Sequence, residues 1–266
     1  MSDVLSAIVA GARKSAEERE RAVPRDAVER AAAARTPRGA AFRASLSAPG
    51  VRVIAECKRR SPSRGILRDE YAPETIAAGY ARAGAAGISV LTEPSFFDGS
   101  LAHLQAVRGA VDVPLLRKDF IVNGYQIAEA RAAGADAVLL IVAALDDASL
   151  AGLMREAATL ELMALVETHT ADDVRRAIDV GADVIGVNSR SLKTLEVDTG
   201  HFERLIGIMP AGTVRVAESG IRSGSDARRL SALGYHAFLV GERFMTDSDP
   251  GAALAAFRTE AEGPER

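Results

Sequence analysis

Short apolar segments alternate with longer amphipathic segments from residue 51 to about residue 260. The short segments have the length and residue types of buried strands. The pattern predicts eight strands, near residues 51–56, 87–92, 114–118, 136–141, 162–167, 183–188, 213–218 and 236–240. Helices are predicted between them, at about 73–84, 100–109, 123–133, 146–160, 171–180, 200–208 and 223–233, with a last one near 249–260. Strict alternation favours parallel βα units, and eight such units favour an α/β fold, the closed (β/α)8 TIM barrel.

The first 48 residues differ from the rest, because they are rich in Ala, Arg and Glu. One apolar helical stripe is formed by Leu5, Ile8, Val9 and Ala12. Pro24 and Pro37 interrupt the segment, so we predict two short helices outside the barrel. We divide the chain into an N-terminal helical extension that packs on the barrel, residues 1–48, and a catalytic barrel domain, residues 49–266. The charged run 17–21 is compatible with an extension that is exposed to solvent. The alternative is that the extension forms a lid over a pocket in the barrel.

Several predicted strands end on charged or amide side chains. These are Glu56 and Lys58 after the first strand, Lys118 after the third, Glu167 after the fifth, Asn188 after the sixth and Glu218 after the seventh. Since side chains alternate between the two faces of a strand, they lie on the same side as apolar residues that would fill the barrel. For any one of them, a structural salt bridge or a helix cap is the competing interpretation. Together they predict one catalytic pocket at the C-terminal rim, where barrel enzymes carry out their chemistry. Its apolar wall is predicted to include Phe97, Phe120, Leu139 and Leu192.

Glycines follow the last two predicted strands, in the segments 218–221 and 240–242. Their backbone N–H groups can approach an anion, and barrels commonly bind phosphate between the loops after strands seven and eight. The pairing predicts a phosphate site formed by Ser219, Gly220, Val240, Gly241 and Glu242.

Composition narrows the class of protein and of ligand. The 266 residues are 48% hydrophobic and carry a net charge of −3, which suits one large α/β domain. Acidic and basic residues are interspersed, so no nucleic-acid or membrane partner is indicated. One basic cluster, Lys58–Arg60 with Arg64, lies in the first strand-to-helix loop and is better placed to meet a small anionic ligand.

The only cysteine, Cys57, excludes an internal disulfide and fits a reducing cytoplasm. The period of two directs it away from Glu56 and Lys58, so we interpret it as a packing residue and not as a nucleophile. The longest apolar stretch, 137–145, is far shorter than a membrane span, and the N-terminus is charged and unlike a signal peptide. We therefore expect a cytoplasmic protein.

The motifs match a known family. The segment 54–63, with the sequence IAECKRRSPS, strongly resembles the first-strand motif of the indole-3-glycerol phosphate synthases, the barrel enzymes of tryptophan biosynthesis. The match continues in order through 91–97, 116–121, 139–141, 166–167, 186–190 and 217–221, and it covers residues 51 to about 245. The N-terminal segment also resembles the family's extension. One departure is Glu242, where some members carry a serine that touches phosphate; an acid there would repel phosphate unless its carboxylate is turned away.

The resemblance implies an activity. It is the ring closure, decarboxylation and dehydration of 1-(2-carboxyphenylamino)-1-deoxyribulose 5-phosphate to indole-3-glycerol phosphate, CO2 and water, catalysed by a carboxy-lyase. No cofactor and no metal are implied, because the substrate itself forms the iminium that accepts the electrons of the departing CO2. The four histidines are scattered along the chain, which agrees with the absence of a metal-ligand pattern.

The resemblance also implies residue roles. Lys118 is the candidate general acid of ring closure and Glu167 the base of dehydration. Lys58 is a candidate acid for the departing hydroxyl, while Glu56 and Asn188 orient the lysines and the substrate hydroxyls. The implied substrate-binding residues are Ser61, Pro62, Phe97, Phe120, Leu139, Arg190, Leu192, Ser219, Gly220, Val240, Gly241 and Glu242, and Glu218 completes the polar floor.

Three other interpretations stay open at this point. A related phosphate-binding barrel enzyme, such as phosphoribosylanthranilate isomerase, would share the phosphate loops but would not require two rim lysines. A Schiff-base aldolase could use Lys118 as its nucleophile. A non-catalytic barrel is the third alternative. The expected partner is a small phosphorylated substrate, and we expect a monomer.

Overall fold

The computed structural model describes residues 4–36 and 38–263, so Pro37 lies outside the described residues. Within them, eight parallel strands close into a barrel in which the last strand pairs with the first. The strands are β1 (Arg52–Cys57), β2 (Gly87–Leu91), β3 (Leu115–Lys118), β4 (Ala137–Ile141), β5 (Met163–Thr168), β6 (Val184–Asn188), β7 (Val214–Glu218) and β8 (Ala237–Val240). The predicted TIM barrel is confirmed.

Helices connect the strands as the pattern predicts. They are α4 (Pro73–Arg82), α5 (Leu101–Ala110), α6 (Gly124–Ala132), α7 (Asp147–Thr159), α8 (Ala171–Asp179), α9 (Gly200–Ile206), α10 (Gly224–Leu233) and α11 (Pro250–Glu262). Three of them begin with a capping box, in which Asn123, Thr170 and Ser223 accept a hydrogen bond from the backbone three residues later. These caps end the preceding rim loops at defined positions.

Short elements at the rim escaped the sequence pattern. A two-stranded hairpin (Arg60–Ser61 with Gly65–Ile66) folds the loop after β1, and short helices follow β2 (Pro94–Phe97) and β8 (Glu242–Met245). Each is too short to produce a recognisable period in the sequence.

Two apolar layers stabilise the barrel. The inner layer contains the strand residues predicted to point inward, including Leu116, Leu165, Val184 and Val216. The outer layer lies between the strands and the helices, and it contains Cys57, whose thiol is fully buried. Burial raises the pKa of that thiol well above its ordinary value, so its assignment as a packing residue holds.

The N-terminal segment forms three helices in its described part, so the prediction of two was wrong. They are α1 (Val4–Ala22), α2 (Arg25–Ala33) and α3 (Gly39–Ser47). Only Val23 and Pro24 lie between α1 and α2. Helix α1 therefore continues almost to Pro24 and is longer than the short helix that was predicted.

The extension closes the end of the barrel at which the strands begin, which we call the lower end. It also reaches the C-terminal rim. Phe42 and Leu46 of α3 are fully buried in the inner layer, against residues at the beginnings of the strands. The first residue of β2, Gly87, must be a glycine, because a Cβ at this position would collide with the ring of Phe42. Leu5 and Ile8 of α1 are also buried in the inner layer, so a solvated appendage does not describe this segment.

A buried ion network fastens α1 to the outer side of β3. Arg117, which is 1% exposed, contacts Asp119 and Glu129 at 2.9 Å each. Arg19 of α1 donates to the same Glu129 carboxylate at 2.6 and 3.0 Å. Two arginines and two carboxylates therefore balance their charges, with Arg117 fully buried and Arg19 partly exposed at the edge of the network.

Among the described helices, none has the length and apolar character needed to cross a membrane.

Candidate active site at the C-terminal rim

A cavity of about 570 Å³ opens at the C-terminal ends of the strands. All the residues predicted from the sequence for the catalytic and substrate-binding sets contribute to its lining. Ile8 also lines it, although it lies far from the barrel motifs in the sequence. One chain segment outside the barrel therefore forms part of the pocket wall.

Lys118 lies at the centre of the polar floor. Its Nζ is 2.9 Å from Oε2 of Glu167 and 2.6 Å from Oε2 of Glu218. Both carboxylates are almost completely buried, and Lys118 itself is only 13% exposed. The three side chains come from β3, β5 and β7, which confirms that the inner faces of alternate strands meet at the rim.

The two carboxyl groups around Lys118 differ in their proton affinity. Burial raises the pKa of Glu218 to about 8, and the negative charge of Glu167 adds to that rise. Burial also opposes ionisation of Glu167, but Lys118, His169 and a hydrogen bond with Asn188 together lower its pKa. Glu167 is therefore the more readily ionised carboxyl group of the pair, and Glu218 is the one that holds a proton more tightly.

Lys118 stays cationic between these carboxyl groups. Burial alone would lower its pKa, but Glu167, Glu218 and Glu56 raise it well above the ordinary value of a lysine. An ammonium group can donate a proton or a hydrogen bond, whereas an imine-forming lysine must first become a neutral amine. The site therefore keeps Lys118 as a cation that donates hydrogen bonds, and it disfavours the nucleophilic role of a Schiff-base aldolase.

A second lysine lies beside the first strand. Nζ of Lys58 is 2.5 Å from Oε1 of Glu56, whose side chain is 4% exposed. Glycines make space for the buried carboxylates of the floor: a Cβ at Gly241 would collide with Glu56, and a Cβ at Gly186 would collide with Glu218. Gly241 was predicted only to bind phosphate, and its second role, leaving space for the side chain of Glu56, was not predicted.

Asn188 and Arg190 organise the loop after β6. The side-chain oxygen of Asn188 accepts a hydrogen bond from the backbone N–H of Arg190 at 3.0 Å, and Nη1 of Arg190 donates to the carbonyl of Leu195 at 2.9 Å. The guanidinium is thereby held at the mouth of the cavity.

The loop after β7 has an unusual backbone. Ser219 and Gly220 both have positive φ, 66° and 72°, and this is uncommon for a serine. The hydroxyl of Ser189 donates to the carbonyl of Ser219 at 3.0 Å, which ties this loop to the one after β6. Strain of this kind is often held at functional sites.

Glu242 contacts two arginines at the cavity mouth. Its Oε1 is 3.1 Å from Nη1 of Arg64, and its Oε2 is 3.6 Å from Nη2 of Arg190. Its carboxylate is therefore neutralised by cations from the loops after β1 and β6, and both arginines also line the cavity.

Phe97, Phe120, Leu139 and Leu192 form apolar wall, as predicted. The position of Phe97 is set by Glu93, whose carboxylate accepts hydrogen bonds from the backbone N–H groups of residues 95, 96 and 97. Glu93 is thus a helix cap with a structural task, although it also lines the cavity.

His169 is a residue of this region for which the sequence analysis proposed no role. Its Nε2 is 3.5 Å from Oε1 of Glu167, and neither ring nitrogen has a hydrogen-bond partner among the described residues. It follows Glu167 by two positions, so the same alternation that identified Glu167 could have identified it. Its contribution is to favour the ionised form of Glu167.

Comparisons with known proteins identify related sequences over almost the whole chain. The family model of indole-3-glycerol phosphate synthase matches residues 5–257. An indole-3-glycerol phosphate synthase of Saccharopolyspora erythraea is 50% identical over 98% of this chain and 97% of its own length. The enzyme of the same name from Micrococcus luteus is 49% identical over 96% of this chain and 97% of its own length.

Solved structures with much lower identity share the fold alone. A structure of KGPDC from Streptococcus mutans has a TM-score of 0.61 at 13% identity and covers 79% of this chain and 96% of its own. The thiamine phosphate pyrophosphorylase of Pyrococcus furiosus has a TM-score of 0.59 at 17% identity, with 82% of this chain and 97% of its own covered.

Proposed function

The chain belongs to the indole-3-glycerol phosphate synthase family, and on that premise we propose that its rim cavity converts 1-(2-carboxyphenylamino)-1-deoxyribulose 5-phosphate into indole-3-glycerol phosphate, CO2 and water. The observation that carries this function is the buried cluster of Lys118, Glu167 and Glu218 beside the Lys58–Glu56 pair. It supplies proton donors and an ionised base within one cavity, which the three steps require.

Ring closure needs a proton donor at the ribulose carbonyl. The ring carbon that bears the carboxylate attacks C2 of the ribulose chain, and the carbonyl oxygen takes a proton as the new C–C bond forms. We assign this proton to Lys118, because Glu167 and Glu218 hold its ammonium group inside the cavity. The apolar wall of Phe97, Phe120 and Leu192 would confine the aromatic ring and bring the reacting carbons together.

Decarboxylation then uses the substrate's own electron sink. The bond to the carboxylate breaks, CO2 leaves, and its electron pair neutralises the adjacent iminium. Dehydration follows, in which the hydroxyl leaves as water after protonation and a carbon-bound proton is removed to complete the aromatic ring. Glu167 is our base for that proton, since it is the ionised carboxylate of the cluster. Lys58 is our acid for the hydroxyl.

The remaining polar groups hold the substrate in this proposal. Glu56 orients Lys58, and Asn188 orients Glu167 and the loop of Arg190. Oε1 of Glu218 is buried with no hydrogen-bond partner among the described residues, so we assign it to a substrate hydroxyl. The phosphate is assigned to the loops after β7 and β8, through Ser219, Gly220 and Gly241.

Turnover of this substrate can be followed directly. The chain has no tryptophan, so the growth of indole fluorescence would be seen against a low background. We expect rapid growth in the presence of EDTA, because the proposed chemistry uses no metal. A flat trace from folded protein that binds the substrate would contradict the function.

The role of Lys118 has its own test. For Lys118→Ala we expect kcat to fall by at least ~10², the size of a general-acid contribution. Lys193→Ala is the control, because Lys193 is an exposed lysine beside the cavity that does not line it. Normal turnover by Lys118→Ala would move the acid role elsewhere, first to Lys58.

We also propose that the protein acts as a monomer in the cytoplasm. All the predicted catalytic and substrate-binding residues meet in this cavity, so the proposed chemistry requires no residue of a second subunit. Light scattering during turnover would reveal an active oligomer if this is wrong.

A further inference from the structure

Glu242 is an acidic side chain placed where an anionic ligand is expected. It is the first residue of the short helix Glu242–Met245, which follows β8. Its two carboxylate oxygens contact two guanidinium groups, those of Arg64 and Arg190, which belong to separate loops. The carboxylate thus bridges the cavity mouth in the same way that a small bound anion would.

The two arginines are well suited to a ligand phosphate. A guanidinium presents paired N–H donors that match the oxygens of carboxylate and phosphate alike. In this structure one guanidinium nitrogen of each arginine faces Glu242, so a phosphate that approaches these nitrogens must compete with a carboxylate that is already present.

The contacts of Glu242 are suited to such an exchange. The side chains of Arg64, Glu242 and Arg190 are 59%, 33% and 28% exposed. Ion pairs at this exposure are weak, since water and salt screen them. The bridge can therefore open at small cost, unlike the buried pairs on the floor.

We propose that Glu242 is a specificity-determining residue, an internal counter-ion that occupies Arg64 and Arg190 until the phosphate of the full substrate displaces it. The proposal rests on the proposed function. Free inorganic phosphate must displace the carboxylate with no other contact to compensate for it. The full substrate also buries its aromatic ring and engages the polar floor, so it tolerates the displacement. Glu242 therefore lowers the affinity of the two arginines for any phosphate, and only a ligand that also makes these further contacts binds well.

The test is the affinity for inorganic phosphate, measured by calorimetry at low salt on the full-length protein. For Glu242→Gln we expect the dissociation constant to fall by roughly threefold to tenfold, since a neighbouring negative charge at a partly exposed site is removed. The gain should shrink as salt is added. Because the full substrate displaces the same carboxylate, we expect its KM to fall as well.

A matched control exists just beyond the same short helix. Asp247 pairs with Arg243 at 3.2 Å, and Arg243 lines the cavity whereas Asp247 does not. Asp247→Asn therefore removes a nearby carboxylate and frees a different cavity arginine, without freeing Arg64 or Arg190. Its gain in phosphate affinity should be smaller than that of Glu242→Gln. Glu242→Ser removes the same charge with a different side chain, and it should reproduce the gain.

Several outcomes would overturn the proposal. Unchanged or weaker phosphate binding by both Glu242 variants would do so, as would an equal gain in Asp247→Asn. The double variant Arg64→Gln with Glu242→Gln should lose part of the gain in phosphate affinity. A full gain in that variant would show that Arg64 does not bind the phosphate, contrary to the proposal. Because phosphate binding is measured without turnover, failure here and failure of the synthase activity are recorded separately.

Discussion

At the scale of single residues, the floor of the cavity combines groups whose charges oppose their burial. Glu218 is the clearest example, because it lies beside another carboxylate and its Oε1 has no hydrogen-bond partner in the described part of the chain. Such an arrangement stabilises a reactive site and destabilises the folded protein.

Glu218 should make stability depend on pH. Its pKa is raised in the folded state, from 4.5 to about 8, so the folded protein holds this proton more tightly than the unfolded chain does. The stability that this proton contributes is present below pH 4.5 and is lost as the pH rises towards 8. For Glu218→Gln we expect a higher melting temperature than the wild type, with a difference that grows between pH 5 and pH 8.

Thermal unfolding at several pH values measures this effect. Glu70→Gln is a suitable control, because Glu70 is exposed and lies outside the cavity. A difference between Glu218→Gln and wild type that stays constant across the range would show that the proton of Glu218 has no part in it.

The residues that lie in the cavity could be predicted from the sequence, but the ion pairs that they form could not. The period of two places Lys118, Glu167 and Glu218 on inner faces, and all three meet there. Alternation gives the side of a strand to which a residue belongs, but it carries no distance. It therefore could not tell that Lys118 would pair with both carboxylates while Lys58 pairs with Glu56, or that Glu242 would contact two arginines.

At the scale of elements, the strands and long helices were predictable and the extension was only partly so. Each barrel strand is a dense apolar run and most of the connecting helices have an apolar face, so both produce strong periods. Helix α6 is an exception, because it is buried on all sides. In the extension, α3 is an apolar plug at the barrel's lower end, and its burial depends on strands that lie elsewhere in the sequence. No local pattern reports that contact, and α3 was missed.

Helix α1 should depend on Arg19 for its attachment. Arg19 is the only residue of α1 among the described contacts that reaches the Arg117–Glu129 pair. For Arg19→Met we expect the free energy of unfolding to fall by ~1–3 kcal/mol, the range for a hydrogen bond to a charged group. We also expect a higher KM, since Ile8 of the same helix lines the cavity.

Arg21→Met is the matched control for that experiment. Arg21 lies one half-turn further along α1 and donates only to the backbone carbonyl of Glu17 in the described contacts. Urea unfolding measures the free energy of unfolding of both variants, and steady-state kinetics measures their KM. We expect both quantities to change in Arg19→Met and neither to change in Arg21→Met. Equal effects would mean that the ion network does not attach the helix.

At the scale of the whole molecule, the closed barrel followed from the count and order of the predicted strands. The eight-strand count permits closure, and the pairing of β1 with β8 completes it. What the pattern could not give is how the two ends of the barrel are filled. The rim end holds the polar cavity, and the lower end is closed by Phe42 and Leu46 of the extension.

Phe42 should therefore matter for the stability of the entire barrel. Its ring is fully buried against Gly87 and other residues at the strand beginnings. For Phe42→Ala we expect a loss of ~3–5 kcal/mol in the free energy of unfolding, because a cavity would remain below the inner layer. Urea denaturation measures it, and Phe96→Ala is a control at a partly exposed ring. A loss below ~1 kcal/mol would show that the plug contributes little.

The pairing of β1 with β8 also bears on how the chain acquires its structure. Arg52 pairs with Ala237, so the first and last barrel strands must meet before the ring exists. The lower opening that α3 fills is formed by strands from the whole barrel, so α3 has no complete binding surface until the ring has closed. Contacts this distant in sequence form slowly, because the intervening chain must be ordered first. During synthesis, therefore, we expect α3 to leave the ribosome before the barrel and to dock after it, with Phe42 and Leu46 exposed to chaperones and to aggregation in the interval.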